Sequence, residues 1–139
     1  MSKFRELHAG HKEAIEAMAN DPAIRSKAIA LINETAAYKY SYNFTWLGLP
    51  IIQLPQDIVA IQEIIWTTKP NVIIETGVAH GGSLILSASI LELLRSDGQV
   101  IGVDVDIREH NRVEIEKHPL SKRITLIEGS SVDARVIEQ

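Results

Sequence analysis

The first third of the chain carries two apolar patterns of helical spacing, separated by a break at residues 20–22. The first pattern brings one residue to the same face at each turn, namely Phe4, Leu7, His11, Ile15 and Met18. After the break, Asp21 is a good N-cap and Pro22 suits the first helical position. The second helix then presents one face formed by Ile24, Ala28, Leu31, Ile32 and Thr35.

Helical spacing returns between Asp57 and Thr68, after an irregular stretch. We expect a third helix there, which turns inward Ile58, Ile61, Ile64 and Ile65. The irregular stretch, from Tyr38 to Pro55, crowds tyrosine, phenylalanine and tryptophan ahead of glycine and proline. It predicts a structured loop.

Beyond residue 70 the pattern changes to short apolar runs, at residues 71–75, 99–104 and 123–128. Continuous apolar runs of this length indicate strands of a buried parallel sheet. Helices are predicted between the runs, at residues 83–95 and 109–117, and a further helix begins near the end of the chain. The alternation of strand and helix with short connections predicts an α/β fold with right-handed crossovers.

Composition fits one ordinary folded domain: 139 residues, of which 45 % are hydrophobic and 23 % are charged. The net charge of −4, with no basic stripe, excludes the electrostatic footprint of a nucleic-acid binder. Because the chain has no cysteine, disulfides and thiolate metal sites are excluded. The N-terminus has no signal-peptide core, and no apolar run reaches the ~18 residues of a transmembrane segment, so we expect a cytoplasmic protein.

A glycine-rich turn from Gly77 to Gly82 joins the first predicted strand to the following helix. Glycine permits positive φ and lets a ligand approach the backbone. The N–H groups that open the helix can bind an anionic group, and open α/β sheets bind ligands at this end of their strands. Taken alone, such a turn also fits a purely structural role.

Two acidic residues narrow the choice of ligand. Glu75 ends the first strand, where a carboxylate opposes a phosphate but suits an ammonium group. Asp104 ends the second strand, where an acid can accept hydrogen bonds from both ribose hydroxyls. Together with the turn, they describe an aminoacyl nucleoside such as S-adenosylmethionine. The open alternatives are a helix-capping role for Glu75 and a solvent-facing strand end for Asp104.

Two nearby residues carry weaker signals, and a second ligand class remains open. We expect Asp106 to cap the following helix and His80 to face solvent, with a place in the site as the alternative for His80. The segment Gly77-x-Ala79-x-x-Gly82 is one substitution from a dinucleotide fingerprint, so a nicotinamide dinucleotide is the second hypothesis. Glu75 argues against it, because an acid sits poorly beside a pyrophosphate.

The residues around the turn resemble a known family. Glu75-x-Gly77-x-Ala79-x-Gly81 resembles motif I of class I S-adenosylmethionine-dependent methyltransferases, with Ala79 where a glycine is usual. The longer runs at residues 43–57, 75–83 and 102–108 resemble the cephalosporin hydroxylase family, which also includes rhamnosyl O-methyltransferases. The resemblance extends from about Tyr38 to Asp133. It implies a Rossmann-like parallel sheet with N-terminal helices, and methyl transfer to a hydroxyl of a sugar or small metabolite.

The resemblance also implies a role for each matched residue. Glu75 contacts the methionine end of the cofactor, Ser83 helps to hold its carboxylate, and Asp104 takes the ribose hydroxyls. The backbone lies against the cofactor at Gly77, Ala79 and Gly81, and the adenine is flanked by Gly129, Ser130 and Ser131. Trp46 and its neighbours either cover the pocket or pack the N-terminal helices against the sheet. Lipid or polysaccharide biosynthesis is the implied setting, and the substrate is a small molecule.

The resemblance implies a longer enzyme, so three of the seven strands usual for that fold are expected here. We expect residues 1–55 to form N-terminal helices and a cover loop, and residues 56–139 to form the N-terminal half of the cofactor domain. No catalytic base is identified, and no metal set is expected, since His8 and His11 are a surface pair. Any magnesium would bind through residues absent from this chain. Whether the chain alone is an enzyme therefore stays open, and a non-catalytic, truncated subunit is the third hypothesis.

The expected strand order leaves the first strand without a partner on one side. Val72, Ile73 and Ile74 would then form an unpaired, apolar edge. Because such edges recruit other strands, we expect a homo-oligomer or pairing through this edge.

Overall fold

The computed structural model describes the chain from residue 3 to residue 139, and its side chains from residue 11 onward. It divides into two compact units, Met1–Tyr40 and Ser41–Gln139. The first unit consists of helices, and the second contains all the strands. The predicted assignment of residues 1–55 and 56–139 to separate functional parts stays a prediction.

Helices α1 (Lys3–Ala19) and α2 (Pro22–Ala36) form the first unit. The carboxylate of Asp21 accepts hydrogen bonds from the backbone N–H groups of Ala23, at 2.8 Å, and Ile24, at 3.2 Å. The predicted N-cap is therefore confirmed. The predicted apolar face of α2 is exposed at Ile24, Leu31 and Ile32.

A 3-10 turn at Tyr40–Tyr42 includes the last residue of the first unit, and the second unit continues with an antiparallel hairpin, where a loop was expected. Strands β1 (Phe44–Trp46) and β2 (Leu49–Ile51) pair around Leu47 and Gly48, whose φ angles are 47° and 98°. Two left-handed residues in succession form the turn best suited to a two-residue hairpin. The sequence did not reveal it, because leucine is rare at such a position and the strands have only three residues each.

Helix α3 (Pro55–Thr68) follows and packs one face on the core. Ile65 is buried, and Ile58 and Ile61 pack against the buried cluster. Ile64 was predicted to turn inward, and this is wrong, since its side chain is 60 % exposed. The apolar stripe of α3 is thus narrower than the sequence spacing suggested.

A three-stranded parallel sheet forms the centre of the second unit, in the order β3 (Val72–Thr76), β4 (Gln99–Asp104), β5 (Ile124–Glu128). The connections are made by α4 (Gly82–Leu93) and by α5 (Glu109–Lys117), which is followed by a 3-10 turn at Ser121–Arg123. A short helix, α6 (Ala134–Ile137), comes last. The predicted Rossmann-like α/β fold with three parallel strands is confirmed.

The core lies between the sheet and α4, which is buried along nearly its whole length. Because Gly102 of β4 has no side chain, Leu84 and Val78 approach the strand closely; a Cβ there would lie within 3.0 Å of both. This packing fixes the start of α4 against the end of β4, where the predicted site lies.

Strand β3 is an edge of this sheet, as expected. Val72 and Ile74 are 51 % and 66 % exposed, whereas Ile73 packs against the core. Side chains alternate along a strand, so only one face of the expected apolar edge is uncovered. Within residues 3–139, no helix is long and apolar enough to cross a membrane.

Candidate functional site

The turn after β3 has a backbone of alternating left-handed residues. Gly77, Ala79 and Gly81 have φ angles of 96°, 46° and 83°. The N–H of Gly77 donates to the carbonyl oxygen of Val103, and the N–H of Gly81 donates to that of Val78, both at 2.8 Å. Ala79 adopts a conformation that costs a non-glycine residue about 1–2 kcal/mol, so other contacts must hold it.

The glycines of the turn are required for different reasons. At Gly77 a Cβ atom would meet nothing within 4 Å, so glycine is favoured there by its positive φ and not by packing. At Gly81 a Cβ would collide with the side chain of Ile115, and at Gly82 with the backbone carbonyl of Pro50. Packing against backbone therefore demands glycine at Gly82, whereas at Gly81 both the φ of 83° and the side chain of Ile115 favour it.

The turn forms one wall of a small cleft of about 120 Å³, which we call the turn cleft. It contains five of the predicted site residues, Glu75, Gly77, Ala79, Gly81 and Ser83. The remaining lining residues are Pro50, Ile52, Gln53, Val78, His80 and Gly82. The structure thus brings together the predicted amine-binding acid and the backbone of the turn.

Glu75 lies half-buried at the end of β3, and the hydroxyl of Ser83 donates a hydrogen bond to its carboxylate. Burial raises the pKa of the Glu75 carboxyl above its ordinary value, and the bond from Ser83 offsets part of that rise. The side chain does not cap α4, whose N-cap is Gly81 with no side-chain hydrogen bond. A partly desolvated carboxylate at a cleft wall suits a cationic ligand group.

Asp104 ends β4 and binds the turn. Its Oδ2 accepts from the N–H of Val78 at 2.7 Å and of Ala79 at 3.5 Å, and its Oδ1 accepts from that of Asp106 at 3.2 Å. Partial burial raises the pKa of Asp104, but these backbone bonds, with one from Val105, together bring it below the ordinary value. A carboxylate has about four acceptor positions, and backbone N–H groups already approach most of them, so a further donor would compete with the long contact from Ala79.

Asp104 also lines a second cleft, of about 400 Å³, which we call the acid cleft. Its other lining residues are Tyr42, Ile52, Ala79, His80, Asp106, Arg108 and Asn111. Ile52, Ala79 and His80 line both clefts, so the two are neighbours along the turn. Asp106 does not cap α5, because the N-cap is Arg108; Asp106 pairs with Arg108 at 3.9 Å.

Sequence reasoning missed two residues of these clefts, Asn111 and Gln53. Asn111, on α5, is only 8 % exposed; its amide donates to the carbonyl oxygen of Ala79 at 2.8 Å and its oxygen lies 3.3 Å from Nδ1 of His80. Gln53, just after β2, lines the turn cleft with a buried side-chain oxygen. His80 was expected to face solvent, with a place in the site as the alternative, and it lines both clefts. Asn111 belongs to no motif, so only tertiary packing reveals it.

The residues predicted to flank adenine line neither cleft, although the N–H of Gly129 donates to the backbone carbonyl oxygen of Asp104 at 2.8 Å. Ser131 lines a separate apolar cleft of about 250 Å³ beside α6. The Ser130 hydroxyl accepts a hydrogen bond from the N–H of Val132 at 3.4 Å, and Gly129 has a φ of 151°. Their role toward adenine stays a prediction.

Trp46 packs on α4. Its indole N–H donates to the hydroxyl of Ser89 at 3.1 Å, and that hydroxyl donates to the carbonyl oxygen of Leu86 at 2.7 Å. Of the two roles left open for Trp46, a packing role in the core fits this contact, although its partner is α4 rather than the N-terminal helices.

Among the residues that the structure describes, no group of three or more histidine, aspartate or glutamate side chains could hold a metal ion. The side chain of His8, one half of the predicted surface pair, lies outside the described residues.

Comparison with known proteins identifies the family. The sequence profile of the family described as rhamnosyl O-methyltransferase/CmcI matches residues 38–139. Two solved structures of CmcI, one described as Mg-SAM and one as an apo-structure, are each 27 % identical with a TM-score of 0.57. The match covers 70 % of this chain and 40 % of theirs. A third, described as SAH, is 28 % identical with a TM-score of 0.51, covering 63 % of this chain and 43 % of that one.

The chain thus spans about 40 % of the length of the CmcI chains it matches. No curated protein matches it. The profile covers well over half of the chain, including both clefts, and the fold agrees with the solved relatives. The chain therefore belongs to the rhamnosyl O-methyltransferase/CmcI family, with its S-adenosylmethionine-dependent O-methyltransferase-like fold.

Proposed function

We propose that this chain binds S-adenosylmethionine along the turn and acid clefts, as the cofactor-binding part of an O-methyltransferase. The observation that carries the proposal is the pairing of two carboxylates with different surroundings on the same glycine turn. Glu75 is partly desolvated and suits a cation, whereas Asp104 is held ionised by backbone N–H groups and suits neutral donors. Membership of a family whose solved structures include Mg-SAM and SAH forms supports this ligand.

The methionine end of the cofactor is assigned to the turn cleft. Its ammonium group would bind Glu75, and its carboxylate would face the first N–H groups of α4, beside Ser83. Gly77, Ala79 and Gly81 supply the backbone wall. The ammonium group of the ligand would thus lie beside a carboxylate, and its carboxylate would lie beside the partly positive N–H groups at the start of a helix.

The nucleoside is assigned to the acid cleft. Asp104 would accept hydrogen bonds from the ribose hydroxyls in place of its long contact with Ala79, while its bond to Val78 keeps the turn in place. Ser130 and Ser131 are proposed to flank the adenine, since they follow Gly129, which is hydrogen-bonded to the backbone of Asp104. The same residue thus holds both the ligand and the loop that binds it.

The bound cofactor would supply an electrophilic methyl group for attack by a hydroxyl of a sugar or small metabolite. The chain's own contribution is to bind and orient that cofactor. This positioning would increase the rate of methyl transfer. The described residues include no metal cluster and no assigned base, so no step of the proposal uses magnesium. A cytoplasmic location and a place in lipid or polysaccharide biosynthesis stay predictions.

The two alternatives are less well supported. A pyrophosphate in the turn cleft would face the carboxylate of Glu75, which disfavours a nicotinamide dinucleotide. A non-catalytic subunit would keep the fold without binding the cofactor. We further propose that the unpaired edge of β3 pairs with another strand, in a second copy or another segment.

Isothermal titration of S-adenosylhomocysteine into the folded chain tests the proposal, with NAD as the competing ligand. We expect saturable binding that Asp104→Ala abolishes, while Asp97→Ala, an exposed acid near the start of the same strand, leaves it unchanged. NAD should give no heat. Tight NAD binding, or no binding of either ligand by a chain that melts cooperatively, would overturn the proposal.

A further inference from the structure

The side-chain oxygen of Gln53 has an unusual environment. Its side-chain oxygen is buried and, among the described residues, accepts no hydrogen bond. Gln53 follows β2 and lines the turn cleft, where Glu75 and Ser83 also lie. Buried polar atoms without a partner are rare in native structures, and each one calls for a specific explanation.

The neighbouring side chains do not supply that partner. The hydroxyl of Ser83 has one proton, and it donates that proton to Glu75. Glu75 itself, when ionised, can only accept. The turn cleft therefore holds two acceptor groups, one charged and one neutral, and the hydroxyl of Ser83 is already used as a donor.

Gln53 and Glu75 also share a second cleft. A space of about 530 Å³ beside the exposed face of β3 is lined by both residues, together with apolar side chains of α3 and β3. Among the described clefts, these two residues are the ones common to this space and the turn cleft. They stand at the boundary between the two spaces.

We infer that the side-chain oxygen of Gln53 accepts a hydrogen bond from the ammonium group of the bound cofactor, beside Glu75, and makes the site specific for ligands that carry an amine. This inference rests on the proposed function. An ammonium group has three donors, so it can satisfy the carboxylate and the amide oxygen together. A neutral acceptor completes the coordination without placing a second negative charge in the cleft.

Removing this acceptor should lower the affinity for ligands that carry an amine more than the affinity for ligands that lack one. A hydrogen bond to a charged group corresponds to about a tenfold change in affinity. We expect Gln53→Met, which keeps the length of the side chain and removes its polar atoms, to lower the affinity for S-adenosylhomocysteine about tenfold. Binding of 5′-methylthioadenosine, which lacks the amino acid part, should change less than twofold. Gln56→Met, an exposed glutamine three residues away, is the matched control.

The experiment separates the two proposals. If wild-type protein fails to bind S-adenosylhomocysteine, the proposed function fails. If it binds, and Gln53→Met weakens both ligands equally or neither, this inference is wrong. Should Gln53→Met not fold, the side-chain amide resonances of Gln53 in ¹⁵N-labelled wild-type protein decide instead. They should shift with S-adenosylhomocysteine and not with 5′-methylthioadenosine, and an absent shift with the former overturns the inference.

Discussion

The side-chain amide of Asn111 donates a hydrogen bond to the carbonyl oxygen of Ala79 across 2.8 Å, tying α5 to the left-handed residue of the turn. Because its nitrogen faces Ala79, its oxygen faces Nδ1 of His80, at 3.3 Å. Since an amide oxygen only accepts, Nδ1 of His80 is the donor in this contact. One buried residue thus contacts both the backbone of the turn and a histidine that lines both clefts.

Replacing this residue should loosen the turn from a distance. We expect Asn111→Ala to lower the free energy of unfolding by about 1–2 kcal/mol and to lower the affinity for S-adenosylhomocysteine several-fold. Urea denaturation and calorimetry measure the two effects. Glu114→Ala, on an exposed face of α5, is the control. Unchanged affinity in a destabilised Asn111→Ala protein would show that the turn holds its shape without the amide.

Ligand affinity should depend on the protonation of Glu75. Burial raises the pKa of this carboxyl, and a bound ammonium favours its charged form. Affinity for S-adenosylhomocysteine should therefore increase as the pH rises from the ordinary glutamate value of 4.5 through the raised pKa of Glu75, with proton release on binding. Titrations in buffers of different ionisation enthalpy measure that release. Glu75→Gln should bind weakly and show neither dependence.

The same pKa shift predicts the sign of a stability change in the free protein. A carboxyl whose pKa is raised by folding contributes stability below its unfolded pKa, and that contribution is lost as the pH rises through the folded pKa. Above that pH, we expect Glu75→Gln to melt at a higher temperature than wild type. A lower melting temperature would mean that the bond from Ser83 outweighs the cost of burial.

Two alanine substitutions in the turn should have different effects. In a helix, glycine to alanine normally stabilises by about 1 kcal/mol, but at Gly82 the added methyl collides with the carbonyl of Pro50. We expect Gly82→Ala to destabilise the protein by about 1–3 kcal/mol. Gly77→Ala meets no neighbour, yet it strains the backbone and narrows the turn cleft, so ligand affinity should fall at least as clearly as stability. Equal effects of both variants on both measurements would contradict this distinction.

Trp46 should affect stability and not binding. Trp46→Phe removes the hydrogen bond to Ser89 and leaves its hydroxyl without that donor, which should lower the free energy of unfolding by about 1 kcal/mol. Since Trp46 packs on α4, S-adenosylhomocysteine should bind the variant within twofold of wild type. A large loss of affinity in a folded Trp46→Phe protein would support the covering role instead.

Sequence patterns predicted the parallel sheet well because buried strands and their connections leave long, unambiguous signals. Strand β4 and helix α5 have the predicted bounds, and β3 is displaced by a single residue. The hairpin was missed because its stability comes from packing on α4, as at Trp46, and not from the propensities of its short strands. The burial of Ile64 was predicted wrongly because helical periodicity shows which face of α3 is apolar. It does not show how much of that face the rest of the chain covers.

The site was predictable only where it coincides with the motif. Glu75, the turn and Asp104 could be read directly, since strand ends and glycines mark them. Gln53 lies 24 residues before the turn and Asn111 lies 29 residues after it, and only the folded chain brings them to the clefts. Polar residues of this kind carry no spacing signal, because their partners are defined by tertiary structure.

The collisions that exclude a side chain at Gly81 and Gly82 involve α5 and the hairpin, and no ligand. Natural selection for folding alone would therefore preserve this pair in a descendant that had lost its substrate entirely. Gly77, which has open space beside it, would be free to drift in such a descendant, subject only to its backbone angle. A survey of diverged copies should thus weigh Glu75 and Gly77 above the glycine pair when separating working enzymes from inherited scaffolds.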